Sequence, residues 1–155
     1  MLRLSDTLKF HRNGLLIVLA VYLIGVYPVF CLSESLPQYI FLLNNHHKTF
    51  KRDGFIFFKA ALPGEQQKTA LIKQIKGVPG DRIAWRNNAC YVNDELIGSA
   101  KLKATNGVEL SRLKEQIIPP GKIFVAGTHP RSFDSRYQNL GLIDIDQVKT
   151  VYALF

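Results

Sequence analysis

Residues 69–81 read TALIKQIKGVPGD, and this stretch indicates a β-strand followed by a turn. In an extended strand alternate side chains point to the same face, so Lys73 would share an apolar face with Leu71 and Ile75. The GVPGD sequence contains two glycines and a proline, which favour a tight turn. The stretch therefore predicts a strand that can place a lysine toward the core.

Other β-prone segments lie on both sides of this strand. They are residues 39–43 (YIFLL), 55–59 (FIFFK), 82–85, 89–92, 122–126 (KIFVA) and 148–155 (VKTVYALF). Asn87-Asn88 would join residues 82–85 and 89–92 in a hairpin, and Asn93-Asp94 would form the next turn. Helical periodicity is scarce, and only residues 108–116 could hold a short helix. A chain of 155 residues suits one compact domain, so we predict a single, mainly β domain after the N-terminal segment.

The N-terminal segment has a different composition. Residues 14–32, GLLIVLAVYLIGVYPVFCL, carry no charge, and an apolar run of that length can cross a bilayer as one helix. Arg3, Lys9 and Arg12 precede it with only Asp6 to oppose them, which favours a cytoplasmic N-terminus. The run therefore predicts a single transmembrane helix.

This topology divides the chain into three parts. Residues 1–13 would be cytoplasmic, residues 14–32 would be the anchor, and residues 33–155 would form an exported domain, periplasmic in a bacterium and held at the inner membrane. A cleaved signal peptide is the alternative, because it shares the charged start and the apolar run. Pro28-Val29-Phe30 disfavours cleavage, since small residues are wanted there. The bulky residue after Cys31 disfavours a lipoprotein signal.

Charge and cysteine content limit the function classes. The chain has 20 Lys and Arg against 12 Asp and Glu, a net charge of +8, which fits contact with anionic headgroups or simply solubility. Nucleic-acid binding is not favoured, because no basic stripe with interleaved aromatic residues is present. Cys31 and Cys90 form no disulfide framework; one disulfide is possible in an oxidising compartment, and its pairing is left open.

Metal, cofactor and histidine-based chemistry have little support. His46-His47 are adjacent, and neither HExxH nor CxxC spacing occurs, so we expect two solvated loop histidines and no metal or cofactor. No serine lies in a GxSxG sequence, which leaves His129 as the one plausible base of a Ser-His-Asp site. A catalytic triad is therefore not the favoured interpretation.

A serine–lysine arrangement is the stronger hypothesis. Ser33 and Ser35 follow the apolar run directly, where serines usually act as helix caps. A lysine on a strand is more often ion-paired or snorkelled than buried. If Lys73 is buried, however, desolvation lowers its pKa and makes it a usable base for a serine. Asp134 and Arg136 are two residues apart, which would let them share a strand face and pair.

Three motifs together resemble those of the type I signal peptidases. They are a serine with a proline two residues on just after an anchor (Ser35, Pro37), a lysine before G-x-P-G-D (Lys73), and S-x-D-S-R near the C-terminus (residues 132–136). The short S-L-P spacing is similar to that of the conjugative-transfer branch, the TraF-type peptidases that mature pilins. The resemblance covers about residues 12–155.

The resemblance implies a role for each matched residue. Ser35 corresponds to the nucleophile, Lys73 to the general base, and Ser33 to a hydroxyl that helps to stabilise the oxyanion. Ser132 corresponds to the serine that orients the lysine. The pair Asp134 and Arg136 corresponds to residues that support that wall of the site.

The resemblance also implies an antiparallel β catalytic domain with an apolar face at the membrane. The substrate would bind as an added strand between residues 28–33 and the segment before Lys73, with small residues at the first and third positions before the cut. The conjugative pattern usually has a glycine two residues after the proline and an aromatic residue two further on. Tyr39 replaces that glycine, Phe41 stands at the aromatic position, and Gly127-Thr128-His129 replaces the usual G-D-N.

Three functions follow from these patterns. The first is a membrane-anchored serine endopeptidase that cleaves, and in some relatives cyclises, an exported pilin precursor, with other conjugative secretion components as partners. The second is a general signal peptidase, and the third is a non-catalytic bitopic subunit of a secretion channel. The sequence does not reveal the substrate, the cut site or the oligomeric state.

Overall fold

The structure, a computed structural model, describes residues 26–30, 40–44 and 50–153, together with Gly14 and Leu36. Within these residues the chain forms eleven strands and one short 3-10 helix. The strands are β1 (Val26–Phe30), β2 (Ile40–Asn44), β3 (Phe55–Ala61), β4 (Lys68–Gly77), β5 (Arg82–Arg86), β6 (Ala89–Val92), β7 (Glu95–Ser99), β8 (Gln116–Ile117), β9 (Lys122–Ala126), β10 (Ile143–Asp144) and β11 (Lys149–Ala153). The helix covers Ile145–Gln147 and lies between β10 and β11.

The strands form two antiparallel sheets within the described residues. The larger sheet has the order β1-β2-β11-β3-β4-β9-β10, and the smaller one has the order β7-β6-β5-β8. β4 pairs with β3 from Lys68 to Gln74 and with β9 from Gln74 to Gly77. β3 and β9 thus lie along opposite edges of the longest strand, and Gln74 is the position at which both neighbours pair with it.

Apolar side chains at alternate positions build the core of the larger sheet. Ile56 and Phe58 of β3 pack in one cluster with Ile75, Ile123 and Val125. This alternation is what a strand requires to turn one face inward. The core therefore lies against the same face of β4 that carries Ile75.

The predicted turn after β4 leads from the larger sheet to the smaller one. The Asp81 N–H donates to the Val78 carbonyl over 3.0 Å, and Gly80 has a φ of +91°, which favours glycine. A Cβ atom on Gly77 would lie 2.5 Å from Ile118 Cδ1. Glycine at this position lets the two sheets approach each other closely.

Most of the predicted strands are confirmed. β2, β3, β4, β5, β6, β9 and β11 lie in the segments that the sequence indicates, with small differences at their ends. The β5–β6 hairpin and the β6–β7 turn form as expected, with Asn87 at φ +51° and Asn93 at φ +55°. Asparagine tolerates this left-handed conformation better than most residues do.

The predicted helix over residues 108–116 is wrong. The Leu110 N–H donates to the Leu102 carbonyl, and Ala104 pairs with Val108, so this part of the chain forms a hairpin. Leu110 and Leu113 are buried in two different clusters. Two separate burial sites cannot be reached from one helix face, so long-range packing overrides the weak helical pattern.

The predicted transmembrane helix over residues 14–32 is wrong for its last part. Val26–Phe30 form β1, which pairs along its whole length with β2. The sequence VYPVF is rich in β-branched and aromatic residues, and Pro28 is tolerated because β1 lies at the edge of the sheet. Among the described residues no helix is long and apolar enough to cross a membrane. Residues 1–13, 15–25, 31 and 32 lie outside the described part, so the topology stays a prediction.

Candidate active site

Lys73 lies in the middle of β4 and is almost completely buried. Its residue exposure is 2%, and it points to the same side of the strand as the fully buried Ile75, as the sequence predicts. Its Nζ atom donates a hydrogen bond of 2.8 Å to Ser132 Oγ, 59 residues further along the chain. A lysine amine held by a hydroxyl in a buried position is suited to accept a proton, because burial disfavours its charged form.

Ser132 is held by its backbone as well as by Lys73. Its N–H donates to the His129 carbonyl over 2.9 Å, and its own carbonyl accepts a hydrogen bond from Arg136 Nη2 over 3.2 Å. The serine is buried, so few alternative partners from solvent compete for its hydroxyl. The hydrogen bond between serine and lysine that the resemblance implies is therefore present.

Asp134 and Arg136 form a buried, two-point ion pair. Arg136 Nε donates to Asp134 Oδ1 and Nη2 donates to Oδ2, both over 2.8 Å. The Gly127 N–H also donates to Asp134 Oδ2. The predicted pairing is confirmed, but residues 130–138 form turns instead of the expected strand. The two side chains meet because the backbone folds back, with the Arg136 N–H donating to Asp134 Oδ1.

The remaining part of the Arg136 side chain reaches the smaller sheet. Nη1 donates to the Ser99 carbonyl over 2.7 Å. Gly98 has a φ of +138°, and a Cβ atom there would lie 3.0 Å from Nη1. The register of β7 shifts beside Gly98, between Cys90 and Tyr91 of β6, so a β-bulge presents this carbonyl to the arginine. Sequence reasoning missed Gly98 and Ser99, because a backbone carbonyl leaves no side-chain signal.

Burial and charge shift the protonation of groups around this pair. Burial alone would lower the pKa of Arg136, but its hydrogen bonds to Asp134 and the charge of that carboxylate raise it overall. The pKa of Cys90 is raised to about 12 mainly by burial; the charge of Arg136 lowers it, and that of Asp134 raises it. Cys90 has a free thiol. In this structure Cys90 therefore takes part in no disulfide, and Cys31 lies outside the described residues.

Ser33 and Ser35 lie outside the described residues, as do Cys31 and His46-His47. Leu36, the residue after Ser35, is described and is buried in one apolar cluster with Ile72 and Phe41. Ile72 directly precedes Lys73 on β4. The structure thus brings Lys73, Ser132 and the pair of Asp134 and Arg136 together. For Ser35 it shows only that the next residue, Leu36, packs against Ile72, the residue before Lys73.

Comparison with known proteins identifies the family. The sequence model of the family described as signal peptidase, peptidase S26, matches residues 8–154. The chain belongs to this family.

The relatives of this signal peptidase family member are bacterial proteins named signal peptidase I. One from Bacillus licheniformis is 30% identical over 107 residues, which cover 64% of this chain and 55% of that protein. One from Bacillus caldolyticus is 32% identical over 94 residues, covering 53% and 50%. Signal peptidase I V from Bacillus subtilis strain 168 is 28% identical over 138 residues, covering 81% and 78%.

The matched segments span about half the length of the first two relatives. A crystal structure of a signal peptidase I from Enterococcus faecalis V583 aligns with a TM-score of 0.42 at 23% identity, covering 68% of this chain and 97% of that one. The family is therefore shown by the sequence, and membership of the conjugative-transfer branch remains a proposal.

Two further polar residues, His129 and Lys76, have structural contacts in this signal peptidase family member. His129 Nδ1 accepts a hydrogen bond from the Arg131 N–H over 3.1 Å, so this histidine supports the turn that leads to Ser132. Lys76 Nζ pairs with Asp53 over 2.7 Å and with Glu95 over 3.2 Å. Partial burial alone would lower the pKa of Lys76, but these two carboxylates raise it. Lys76 is thus a charged residue that links the two sheets.

A second Asp–Arg pair closes the turn after β4, and sequence reasoning missed it. Arg52 Nη2 donates to Asp81 Oδ2 over 2.7 Å, and Arg52 Nη1 donates to the Lys76 carbonyl. The Val78 N–H and the Asn93 amide also donate to the Asp81 carboxylate. Arg52 belongs to a polar segment with no pattern of its own, so only the folded structure reveals this partner.

Proposed function

We propose that this chain is a serine endopeptidase in which Ser35 is the nucleophile and Lys73 is the general base. The observation that carries the proposal is the burial of Lys73 with its Nζ atom 2.8 Å from Ser132 Oγ. A lysine that only contributed charge would be expected at the surface, because a buried ammonium is costly. The burial of Leu36 in the same cluster as Ile72 further supports a close approach of the Ser35 segment to β4.

The reaction is an acyl transfer in two steps. Ser35 Oγ attacks the carbonyl carbon of the scissile bond while its proton passes to Lys73 Nζ. The Ser35 N–H and the Ser33 hydroxyl stabilise the oxyanion; removal of one such donor typically costs about 10²–10³ in rate. The C–N bond then breaks as the Lys73 ammonium returns its proton to the leaving amine. The neutral Lys73 amine then takes a proton from a water molecule that attacks the acyl-serine, and the ester C–O bond breaks as the Lys73 ammonium returns that proton to Ser35 Oγ.

The neighbouring residues position the base. Ser132 accepts a hydrogen bond from Lys73 and so fixes the direction of its Nζ atom. Arg136 holds the Ser132 carbonyl, and Asp134 holds Arg136. Ser132, Asp134 and Arg136 are therefore positioning residues in this mechanism, and neither of the charged pair has to touch the substrate.

The substrate is an exported precursor that binds as an added strand. Two features of the larger sheet support this. β1 is an edge strand, and β9 pairs with β4 only from Gln74 onward, so the first half of β4 has no second neighbour among the described strands. An extended peptide could pair there and carry its scissile bond toward Lys73. Small side chains are expected at the first and third positions before the cut.

The precursor is a pilin that is cleaved, and in a variant of the reaction cyclised, for conjugative transfer. The short spacing from Ser35 to Pro37 supports this assignment, and other conjugative secretion components are the expected partners. The names of the relatives favour a second candidate, a general signal peptidase. In both cases the catalytic domain lies on the periplasmic side of the bacterial inner membrane, with the bilayer as a partner; any membrane helix would have to lie before β1, which begins at Val26.

Co-expression with the pilin precursor of the same genetic element tests the proposal. The intact mass of the pilin is measured with the wild type and with Ser35→Ala, Lys73→Ala and Lys76→Ala. We expect a shortened pilin with the wild type and Lys76→Ala and an intact precursor with the other two. Lys76 is the matched control, because it is a partly buried lysine on the same strand.

The masses also separate the alternatives. A product lighter by one further water molecule indicates cyclisation. Processing of many unrelated precursors, in a cell depleted of its housekeeping enzyme, indicates a general signal peptidase. Normal processing by Ser35→Ala would contradict the nucleophile assignment, and an intact precursor with the wild type would contradict the pilin as substrate.

A further inference from the structure

A cleft is lined by Arg131 and Phe133, the two residues on either side of Ser132. It has a volume of about 420 Å³. The described residues that line it include Lys101, Lys103, Leu110, Arg131, Phe133 and Tyr137. Nothing in the proposed reaction uses these residues.

One side of this cleft, its floor, is formed by apolar and aromatic side chains that pack against one another. The rings of Phe133 and Tyr137 stack with centroids 5.9 Å apart and an angle of 21° between their planes. Tyr137 and Leu110 are buried together in one cluster. The Tyr137 hydroxyl accepts a hydrogen bond of 3.0 Å from the Lys101 N–H, so the floor fixes the backbone of the rim.

The rim of the cleft is cationic. Lys101, Lys103 and Arg131 line it, and among the described residues that line it there is no carboxylate. Within the described part of the chain, Lys101 and Lys103 form no ion pair. Glu109 lies opposite Lys103 in the hairpin but does not line the cleft. Positive charges around a low-dielectric floor concentrate the field, so the cleft attracts an anionic group.

A second cavity provides an internal comparison. It has a volume of about 1000 Å³ and is lined by Lys59, Lys68 and Lys149 among others, but also by Asp144. Asp144 forms an ion pair of 2.6 Å with Lys122. The larger cavity therefore combines both signs of charge, whereas the described lining of the cleft beside Ser132 carries positive charges alone.

The cleft is adjacent to the base of the proposed reaction. Ser132 lies between Arg131 and Phe133, and its Oγ atom is 2.8 Å from Lys73 Nζ. An extended peptide advances about 3.3 Å per residue, so a substrate cut beside Lys73 would reach the cleft within a few residues. The expected preference for small side chains already concerns positions before the cut, so the cationic cleft suits the part that follows it.

We propose that this cleft binds an acidic segment of the exported precursor, a few residues after the scissile bond. Carboxylates of the precursor pair with Lys101 and Lys103, and an apolar or aromatic side chain rests on Phe133 and Tyr137. The inference rests on the proposed endopeptidase function, whose substrate it describes in more detail. It adds a charge preference to the preference for small residues before the cut.

Charge exchange between enzyme and substrate tests this proposal. Three precursors share one sequence up to the cut and carry three Glu, three Gln or three Lys among the first six residues after it. Their kcat/KM values are compared for the wild type, for Lys101→Glu with Lys103→Glu, and for Lys59→Glu with Lys149→Glu. The last variant is the matched control, because it has the same net charge and alters only the second cavity.

We expect the wild type to cleave the Glu precursor about 10-fold faster than the Lys precursor, since a few partly exposed ion pairs have this combined effect. The variant with Lys101→Glu and Lys103→Glu should cleave the Lys precursor faster than the Glu precursor. The control with Lys59→Glu and Lys149→Glu should keep the wild-type preference. Raising the salt to about 1 M should shrink the preference, because screening then acts within about 3 Å. Equal rates for the three precursors with the wild type, or equal effects of the two variants, would overturn the proposal.

Binding measurements distinguish failure of the cleft from failure of the enzyme. The Ser35→Ala protein is titrated with fluorescent peptides that carry the Glu or the Lys segment. Tighter binding of the Glu peptide without cleavage by the wild type would support the cleft and refute the endopeptidase. If the cleft variant weakens binding to vesicles with anionic phosphatidylglycerol and leaves the peptide preference unchanged, the cleft binds headgroups and the proposal is wrong.

Discussion

The molecule contains two Asp–Arg pairs in very different surroundings. In the first, the side chains of Arg136 and Asp134 are 2% and 0% exposed, and two parallel hydrogen bonds join them. In the second, the side chains of Arg52 and Asp81 are 34% and 13% exposed, and one contact of 2.7 Å joins them. The first pair holds the carbonyl of Ser132, whose hydroxyl binds Lys73, and the second closes the turn at the end of the strand that carries Lys73.

The difference shows how the fold can hold a base in place. A buried pair is worth little net energy, but each of its members needs the other, because a lone buried charge is very unfavourable. Removal of either Asp134 or Arg136 should therefore disrupt the whole buried pair. The partly exposed pair of Arg52 and Asp81 tolerates the loss of one partner better, since water can reach the group that remains. The pair that is less tolerant of change is thus the one that holds Ser132 in position.

Breaking the buried pair should have the largest effect on stability. Arg136→Ala leaves Asp134 buried without its countercharge, and we expect a loss of about 3–5 kcal/mol in the free energy of unfolding. Arg52→Ala should cost at most about 1 kcal/mol, because its pair is partly exposed. Urea unfolding of the two variants measures both values directly.

The double variant Asp134→Leu with Arg136→Met provides the control. It removes both charges, so it should be clearly more stable than Arg136→Ala alone. It should still process precursor poorly, because the Ser132 carbonyl loses the Nη2 donor. If Arg52→Ala costs as much as Arg136→Ala, the contrast between the two pairs does not hold.

Gly98→Ala should perturb the buried pair from its far side. The substitution strains a backbone at φ +138° and places a Cβ atom 3.0 Å from Arg136 Nη1. Strain of this kind costs about 1–3 kcal/mol, and a displaced guanidinium would also loosen Ser132. We expect kcat for precursor cleavage to fall with little change in KM.

Gly121→Ala is the matched control for this prediction. Gly121 also has a positive φ, +78°, but no atom lies within 4 Å of a Cβ at that position. It should therefore lose stability through the backbone alone and keep the wild-type kcat. Equal kcat values for both variants would show that Gly98 has no link to the site.

Local sequence patterns predict much of the fold. β4 and β9 are clear because apolar residues such as Ile75 and Val125 recur in short β-prone runs that end in glycine or proline turns. The hairpin over residues 82–92 is clear because Asn87 suits a left-handed turn. By contrast, β1 falls within an apolar run that also suits a membrane helix, and only its pairing with β2 distinguishes the two.

The candidate site is less accessible to sequence reasoning. Asp134 and Arg136 are predictable as a pair because they are only two residues apart. The contact of Lys73 with Ser132 spans 59 residues and follows only from the family resemblance. The hydrogen bond from Arg136 to the Ser99 carbonyl joins residues 37 positions apart and depends on a bulge in β7, so no local sequence pattern predicts it.

The partly exposed pair of Arg52 and Asp81 should make the free energy of unfolding depend on pH. Partial burial alone would raise the pKa of Asp81, but hydrogen bonds from the Val78 N–H and Asn93, together with Arg52, hold it below its ordinary value of 3.8. A carboxylate with a depressed pKa stabilises the fold at pH values above 3.8, and this contribution is lost as the pH falls through the lower, folded-state value. Asp81→Asn should therefore cost about 1 kcal/mol at pH 7.

The cost of Asp81→Asn should shrink as the pH is lowered below about 4, because the wild-type carboxyl then becomes neutral as well. Urea unfolding of wild type and variant between pH 3 and pH 7 measures this difference. Asp94→Asn is the control: the Asp94 side chain is 93% exposed in its pair with Arg86, so its removal should change little at any pH. A constant cost of Asp81→Asn down to pH 3 would mean that the turn depends on the shape of this side chain and not on its charge. The two Asp–Arg pairs would then differ in geometry more than in electrostatics.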